Sequence, residues 1–449
     1  MAAAVLLLSC PSTALGQWDH LRDDLYLGGI EVNEPDKNVW HAALEEEGLD
    51  TISMTVYARH QAWDGAEFTS EADPAVLTDE ISAAKQRGLK IVLILRVALE
   101  HALEENLFYW HGMIHPKSDQ QVEQWFESYG EYVLEFAEMA EAQGIDVLGL
   151  GSELNSLSST TQVTELPPLE EYFYNLGKQA RENQRAIAAA TDAGTDGGDL
   201  DGHLKAGWGK TYDELSVFLD ERMTANREWA VEVTYDADLR RLNARRALLD
   251  SKWRELIAKV RAVYSGKLTY AANFDQYDQV SFWSELDLIG INAYFPLRRS
   301  LEVSEIGLEA TFLESWREIL AGIDQLREER GLQAIPVVFT ELGYRTREGS
   351  SLDPWAGDGV GVVGAEGDTD LVVWRDLPED LNERAVAVRA LRLASRERPD
   401  LLRGLLYWKL SSLDEHRAIE PFVAILGSGD PLLSELRSFR EPVSETPVE

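Results

Sequence analysis

Two glutamates each close a short apolar run of strand type. Glu153 follows Ile145-Asp146-Val147-Leu148-Gly149-Leu150-Gly151-Ser152, and Leu154 comes next. Glu341 follows Ile335-Pro336-Val337-Val338-Phe339-Thr340, ahead of Leu342, Gly343 and Tyr344. A carboxylate that ends a buried parallel strand points into the mouth of the sheet rather than into bulk water. Two that face one another can cut a glycosidic bond. One is kept protonated and donates to the leaving oxygen, while the other, ionised and about 5 to 5.5 Å away, attacks the anomeric carbon. Their surroundings must push the two pKa values apart. One glutamate at a strand end is most often a surface residue or half of a barrel ion pair. Two of them, each in a distinctive local sequence, favour the chemical reading.

The elements that must carry these residues follow a repeating order. Strand-like runs occur at Tyr26 to Val32, Thr51 to Tyr57, Leu89 to Val97, Val147 to Gly151, Lys267 to Ala272, Asp287 to Ala293, Pro336 to Thr340 and Gly404 to Trp408. Amphipathic helical stretches separate most of them: Pro74 to Arg87, Val122 to Gln143, Thr311 to Arg330 and Glu379 to Arg398. Gly88, Gly144 and Gly331 stand where helices should stop. Strand and helix alternating through eight strands predicts an α/β fold, a (β/α)8 TIM barrel, with Glu153 ending strand four and Glu341 ending strand seven. A doubly wound open sheet should carry a Gly-rich phosphate loop after its first strand. Here Gly28 and Gly29 fall inside the strand run instead.

One region breaks the rhythm. About 90 extra residues lie between Glu153 and a helix beginning near Trp253, far beyond an ordinary connection. Leu169 to Thr191 and Tyr212 to Leu249 read as helical, so residues 160–250 form a helical insertion after strand four, on the catalytic face. The acidic Gly-rich linker Asp192 to Gly202 faintly resembles a calcium loop. His203 stands where the bidentate glutamate belongs, so a solvated turn is the reading kept. A second Gly-rich segment, Ala356 to Asp368, reads as another loop on the active face.

Composition sets the outer bounds. The chain has 449 residues, of which 45% are hydrophobic and 27% charged, a globular mix. Its formal charge is -37, from 79 acidic and 42 basic residues, and only 11 of the basic residues are lysine. That field repels phosphates and excludes nucleic acid and anionic membrane surfaces as partners. Acid excess with scarce lysine fits a halophilic protein, whose self-repulsion salt would screen. No apolar run reaches the ~18 residues of a membrane span. Met1 to Leu8 resembles the apolar part of an export signal, without the usual basic segment ahead of it. Leu7-Leu8-Ser9-Cys10 resembles a lipobox, and cleavage after Gly16 is the alternative. Residues 1–16 are therefore read as a signal and residues 17–440 as one catalytic domain of an exported protein, periplasmic, at the cell surface or extracellular. A membrane contact is expected only through a lipid on Cys10. This single cysteine excludes an internal disulfide and a cysteine-built metal site.

Further motifs carry a family resemblance. In order, they are Trp110-His111-Gly112-Met113-Ile114-His115-Pro116, Trp125-Phe126-Glu127-Ser128-Tyr129, and Trp253 with Tyr264 to Asn273. Asp287 to Leu297, Phe339 to Tyr344 and Tyr407-Trp408 complete the set. Together these six resemble glycoside hydrolase family 113, whose known members are β-mannanases of the clan A barrel glycosidases. The resemblance runs from about Leu89 to Trp408. It implies Glu153 as acid/base, Glu341 as nucleophile, Tyr294 as a hydrogen-bond donor to Glu341, and Trp408 as the floor under the sugar. Trp110 and Trp355 are candidate platforms, and Asn273, Asn292, Arg96, His111 and Ser152 are candidate substrate contacts. Trp125, Trp253 and Trp316 sit in helical patterns and are expected in the core.

The chain departs from the family at two places. Clan A usually has asparagine just before the acid/base, and here it is Ser152. Strand three often carries Lys-Pro-His, and here it reads Leu95-Arg96-Val97-Ala98. Glu100 and His101 read as loop residues within reach of a subsite. His101, His111 and His115 are too irregularly spaced for a metal site, and no serine elbow is present. The expectation is a monomeric retaining β-glycosidase acting on oligo- or polysaccharide, most simply β-mannan, with no metal and no cofactor. The alternatives are a clan A enzyme with another sugar preference and a non-catalytic glycan-binding lipoprotein on the same barrel.

Overall fold

The computed structural model describes residues 25–69, 74–100, 111–158, 217, 240–299, 307–352, 354–355, 360–365, 368–373 and 378–441. The expectations for residues 1–16, Trp110, His101 and most of 160–250 fall outside these residues.

Eight parallel strands close a barrel. They are β1 (Tyr26–Glu31), β2 (Thr51–His60), β3 (Lys90–Leu99), β4 (Val147–Ser152), β5 (Lys267–Asn273), β6 (Ile289–Asn292), β7 (Val337–Leu342) and β8 (Leu402–Ser411). Each pairs with the next, and β8 returns to β1. Because side chains alternate along a strand, each strand feeds two cores. Tyr26, Ile30, Val92, Ile94, Val147, Ala271, Val338 and Leu406 fill the barrel interior. Leu27, Ile52, Met54, Val56, Ile91, Leu93 and Leu95 face the helices. Gly28 closes the ring at its tightest point: a Cβ there would lie 1.6 Å from the Thr51 carbonyl oxygen, which excludes any side chain.

The outer layer holds α1 (Lys37–Glu46), α2 (Pro74–Gln86), α3 (Asp119–Gln143), α4 (Arg240–Arg261), α5 (Leu308–Glu329), α6 (Leu381–Arg396) and α7 (Pro431–Arg437). Helix α3 shows why these segments fold locally. Ser118 and Gln121 form a reciprocal capping box at its start. Val122, Trp125, Phe126, Tyr129, Val133, Phe136 and Ala140 give it one buried face. It ends at Gly144, whose φ of 61° lets the backbone turn back and donate to Ala140 and Glu141. Trp125, Trp253 and Trp316 are fully buried on their helices, as their spacing predicts.

The structure departs from the sequence reading in three places. Tyr212 to Leu249 and the helix near Trp253 were read as separate, but α4 runs unbroken from Arg240 to Arg261. No glycine or proline interrupts it, and Leu249, Trp253, Leu256, Ile257 and Val260 continue one buried stripe. The β5–β6 connection contains no α-helix. It holds two short 3-10 turns, Tyr277–Gln279 and Trp283–Glu285. Phe282 stacks on Trp253 of α4 at 4.9 Å and fills the space. Finally, the Gly-rich segment read as a loop contains Val360–Ala365, which pairs antiparallel with Asp368–Val373.

Candidate active site

Glu153 sits one residue past β4. Its backbone is left-handed, with φ of 51°, which is unusual for a side-chain-bearing residue. Two hydrogen bonds fix that turn. The Glu153 N–H donates to the Ala271 carbonyl at 2.8 Å. The Leu154 N–H donates to the Tyr270 hydroxyl at 2.8 Å. Strain at a single residue, held by its neighbours, is a mark of a functional position. The carboxylate is mostly buried, and His111 Nε2 lies 3.5 Å from its Oε2, long for a hydrogen bond.

Glu341 lies within β7 near its C-terminal end and is buried. The register between β6 and β7 shifts at Asn292, which then pairs with Glu341. The Tyr294 hydroxyl donates to Glu341 Oε2 at 2.7 Å. The Arg96 guanidinium, from the inner face of β3, forms an ion pair with Oε1. The same Arg96 nitrogen donates to Ser152 Oγ at 3.0 Å. Asn292 Nδ2 also donates to Ser152 Oγ, at 3.2 Å, and its own Oδ1 accepts from the Thr340 hydroxyl at 2.8 Å. One cation therefore joins the residue before Glu153 to Glu341 across the barrel mouth. The two glutamates, Arg96, Tyr294, Asn292, Ser152 and His111 share one site. Ser152 and Asn292 are fully buried beneath it, acting as supports for the groups above them.

Burial is the largest influence on the Glu153 carboxyl and pushes its pKa up. The contact with His111, the charges of Arg96 and of His111, and the Asn292 amide outweigh it, so the net shift is downward. His111 is itself shifted down, first by burial, against the raising effect of Glu153.

The rim of the mouth is aromatic. Trp408 on β8 packs against the inner core, with the Arg96 guanidinium carbon 5.3 Å and Lys409 Nζ 4.4 Å from its ring centre. Lys409 is also held by Glu420 at 3.0 Å. The Trp408–Lys409 peptide is cis. Asn273 ends β5 and turns its own Oδ1 back to the N–H of Phe274 at 2.8 Å. Trp355 is 47% exposed and stacks on Phe274 at 5.3 Å. Tyr407 is core: its hydroxyl donates to the Tyr344 carbonyl at 2.9 Å.

Two mouth residues were missed by the sequence reading. Tyr57 is 45% exposed, and its ring centre lies 5.9 Å from the Arg96 guanidinium carbon. Arg59, two residues on, pairs with Glu100 at 2.8 Å. The signal was present in β2 itself. Ile52, Met54, Val56 and Ala58 alternate with Ser53, Thr55, Tyr57 and Arg59, so the second set faces the barrel interior and emerges at its mouth.

The family model of Glycoside Hydrolase Family 113 matches residues 35–164 and 205–367. Among solved structures, the chain is similar to the β-mannanase AaManA from Alicyclobacillus acidocaldarius in complex with ManMIm. The two are 16% identical with a TM-score of 0.57, over 92% of this chain and 96% of that one. A β-1,4-mannanase of the same family matches at 17% identity and a TM-score of 0.56, over 93% of this chain and 99% of that one. At these identities the likeness is one of fold. A search of curated proteins returned no match.

Proposed function

Since this chain belongs to glycoside hydrolase family 113 and is a glycoside hydrolase, we propose that it cleaves β-linked mannan or manno-oligosaccharides with retention of configuration. In the first step Glu341 attacks the anomeric carbon while Glu153 gives its proton to the departing glycosidic oxygen, leaving a covalent glycosyl-enzyme. In the second, Glu153 takes a proton from water, whose oxygen attacks the same carbon and releases Glu341. The observation that carries the reading is the Arg96 bridge, which ties Ser152, beside Glu153, to Glu341. The bridge and the Tyr294 hydroxyl favour the ionised form that a nucleophile needs.

The downward shift of Glu153 suits the second step, in which it acts as a base. For the first step it must carry a proton. Substrate filling the mouth excludes water, and burial, already the strongest influence, then weighs further toward the acid form. Mannan preference is supported by the family and by the two mannanases of similar fold above. The test is the anomer first released from a reduced-end-labelled manno-oligosaccharide, followed by proton NMR. Retention gives the β-anomer first, and release of the α-anomer ends the reading. Glu341→Ala should abolish turnover while its melting curve stays cooperative.

The same reading takes the protein as a monomer exported from the cell, anchored through a lipid on Cys10. The apolar run Met1 to Leu8 and Leu7-Leu8-Ser9-Cys10 support it. Labelling with a fatty-acid analogue, lost in Cys10→Ser, is the check. The charge of -37 supports activity in strong salt.

A further inference from the structure

We propose that Tyr57, Arg59 and Glu100 form a second sugar-binding subsite, for a neutral hexose unit beyond the one seated over Trp408. This rests on the glycosidase reading and adds a specificity-determining surface to it. The inner face of β2 emerges at the mouth, from buried Ser53 through half-buried Thr55 to exposed Tyr57 and Arg59. Tyr57 is a large apolar ring, 45% exposed, where it packs no core. Solvated aromatic rings inside a mouth are suited to the C–H face of a pyranose.

Arg96 sets the distance between the two rings. Its guanidinium carbon is 5.9 Å from the Tyr57 centre and 5.3 Å from the Trp408 centre. The rings can be no farther apart than the sum of those lengths, so both belong to one mouth with Arg96 between them. A chain lying on Trp408 and passing over Arg96 therefore meets Tyr57 with one of its next units.

Beside Tyr57 stand a donor and an acceptor. Arg59 Nη1 lies 2.8 Å from Glu100 Oε1, with side-chain exposures of 55% and 23%. An ion pair this open contributes little to stability. It can serve two neighbouring sugar hydroxyls: the guanidinium donates to one oxygen and the carboxylate accepts from the other hydroxyl. Arg59 and Glu100 cancel one another's charge, so the pair suits the hydroxyls of an uncharged sugar.

The test compares Tyr57→Ala, Tyr57→Phe and Arg59→Ala with the unaltered enzyme on manno-oligosaccharides of increasing length. The subsite predicts that Tyr57→Ala and Arg59→Ala lose about tenfold or more in kcat/KM, or ~1.4 kcal/mol, only on chains long enough to reach it. The shortest cleavable substrate should be unaffected, and Tyr57→Phe should keep most of the activity. Equal losses at every length, or none at any length, overturn the proposal. Failure of the unaltered enzyme to cleave any β-glycan refutes the underlying glycosidase reading instead. Melting temperatures of the variants separate a binding loss from misfolding.

Discussion

Replacing Arg96 by methionine removes the one cation that touches both Ser152 and Glu341 and keeps most of its bulk. Both members of the ion pair are buried, with side-chain exposures of 7% and 8%. Removing one partner of a buried pair costs about 3–5 kcal/mol if the other must stay charged. Glu341 has an escape, since it can take a proton. The Tyr294 hydroxyl remains at 2.7 Å as the carboxylate's other partner, but the cation that favours its ionised form is gone. The acid limb of kcat/KM against pH should therefore move upward in Arg96→Met. Arg96→Lys keeps the charge but not the flat fork, so its limb should stay near the original while kcat falls. A pH–rate profile on one manno-oligosaccharide reads both variants. If Arg96→Met keeps the original acid limb, Arg96 does not hold the nucleophile ionised and the argument is refuted.

Other perturbations read other parts of the structure. His111→Ala removes a contact that favours the ionised form of Glu153, so burial should weigh more and the basic limb should move up; an unmoved limb would separate His111 from the acid/base. Glu153→Gly should melt higher than Glu153→Ala, by about 1 kcal/mol in stability, because only glycine accepts a φ of 51° without strain. Equal melting points would mean the turn stores no strain. Buried His41 and His60 each have a pKa lowered to about 4, chiefly by burial, against 6.5 when unfolded. The unfolded chain binds more protons between those values, so stability is full above pH 6.5 and is lost as pH falls toward 4, by at most about 3 kcal/mol per histidine. His60→Leu should flatten the acid side of a melting-temperature profile, and an unchanged slope would remove His60 from the account. Raising salt from about 0.1 M to about 1 M shortens the screening length to about 3 Å, so the melting temperature should climb with salt; a flat or falling curve would argue against salt adaptation.

The eight strands were legible because each is a short β-rich run bounded by turn residues and followed, in most cases, by an amphipathic stretch. The strand-end places of Glu153 and Glu341 were legible, and the structure sets Tyr294 against Glu341 and Arg96 between Glu341 and the residue before Glu153. The Arg96–Glu341 pair was not legible, because 245 residues separate the partners and only barrel closure joins them. The buried standing of Ser152 and Asn292 was hidden for the same reason, since each depends on donors from other strands. The unbroken α4 was misread through an expected boundary that no breaker residue marks. Tyr57 was overlooked although its alternation was on view, because Thr51 to Tyr57 reads as a strand-like run whose two faces were not told apart.

The β5–β6 connection has a consequence for how the mouth can move. Residues 274–288 run between strands through two tight turns, pinned by Phe282 against Trp253 and by the Trp283 indole donating to the Tyr277 carbonyl at 2.9 Å. Wedged by two rings, this connection is packed along its length although it holds no α-helix. Asn273 and Asn292 therefore flank a braced seam of the cleft, an anvil against which a glycan can be held.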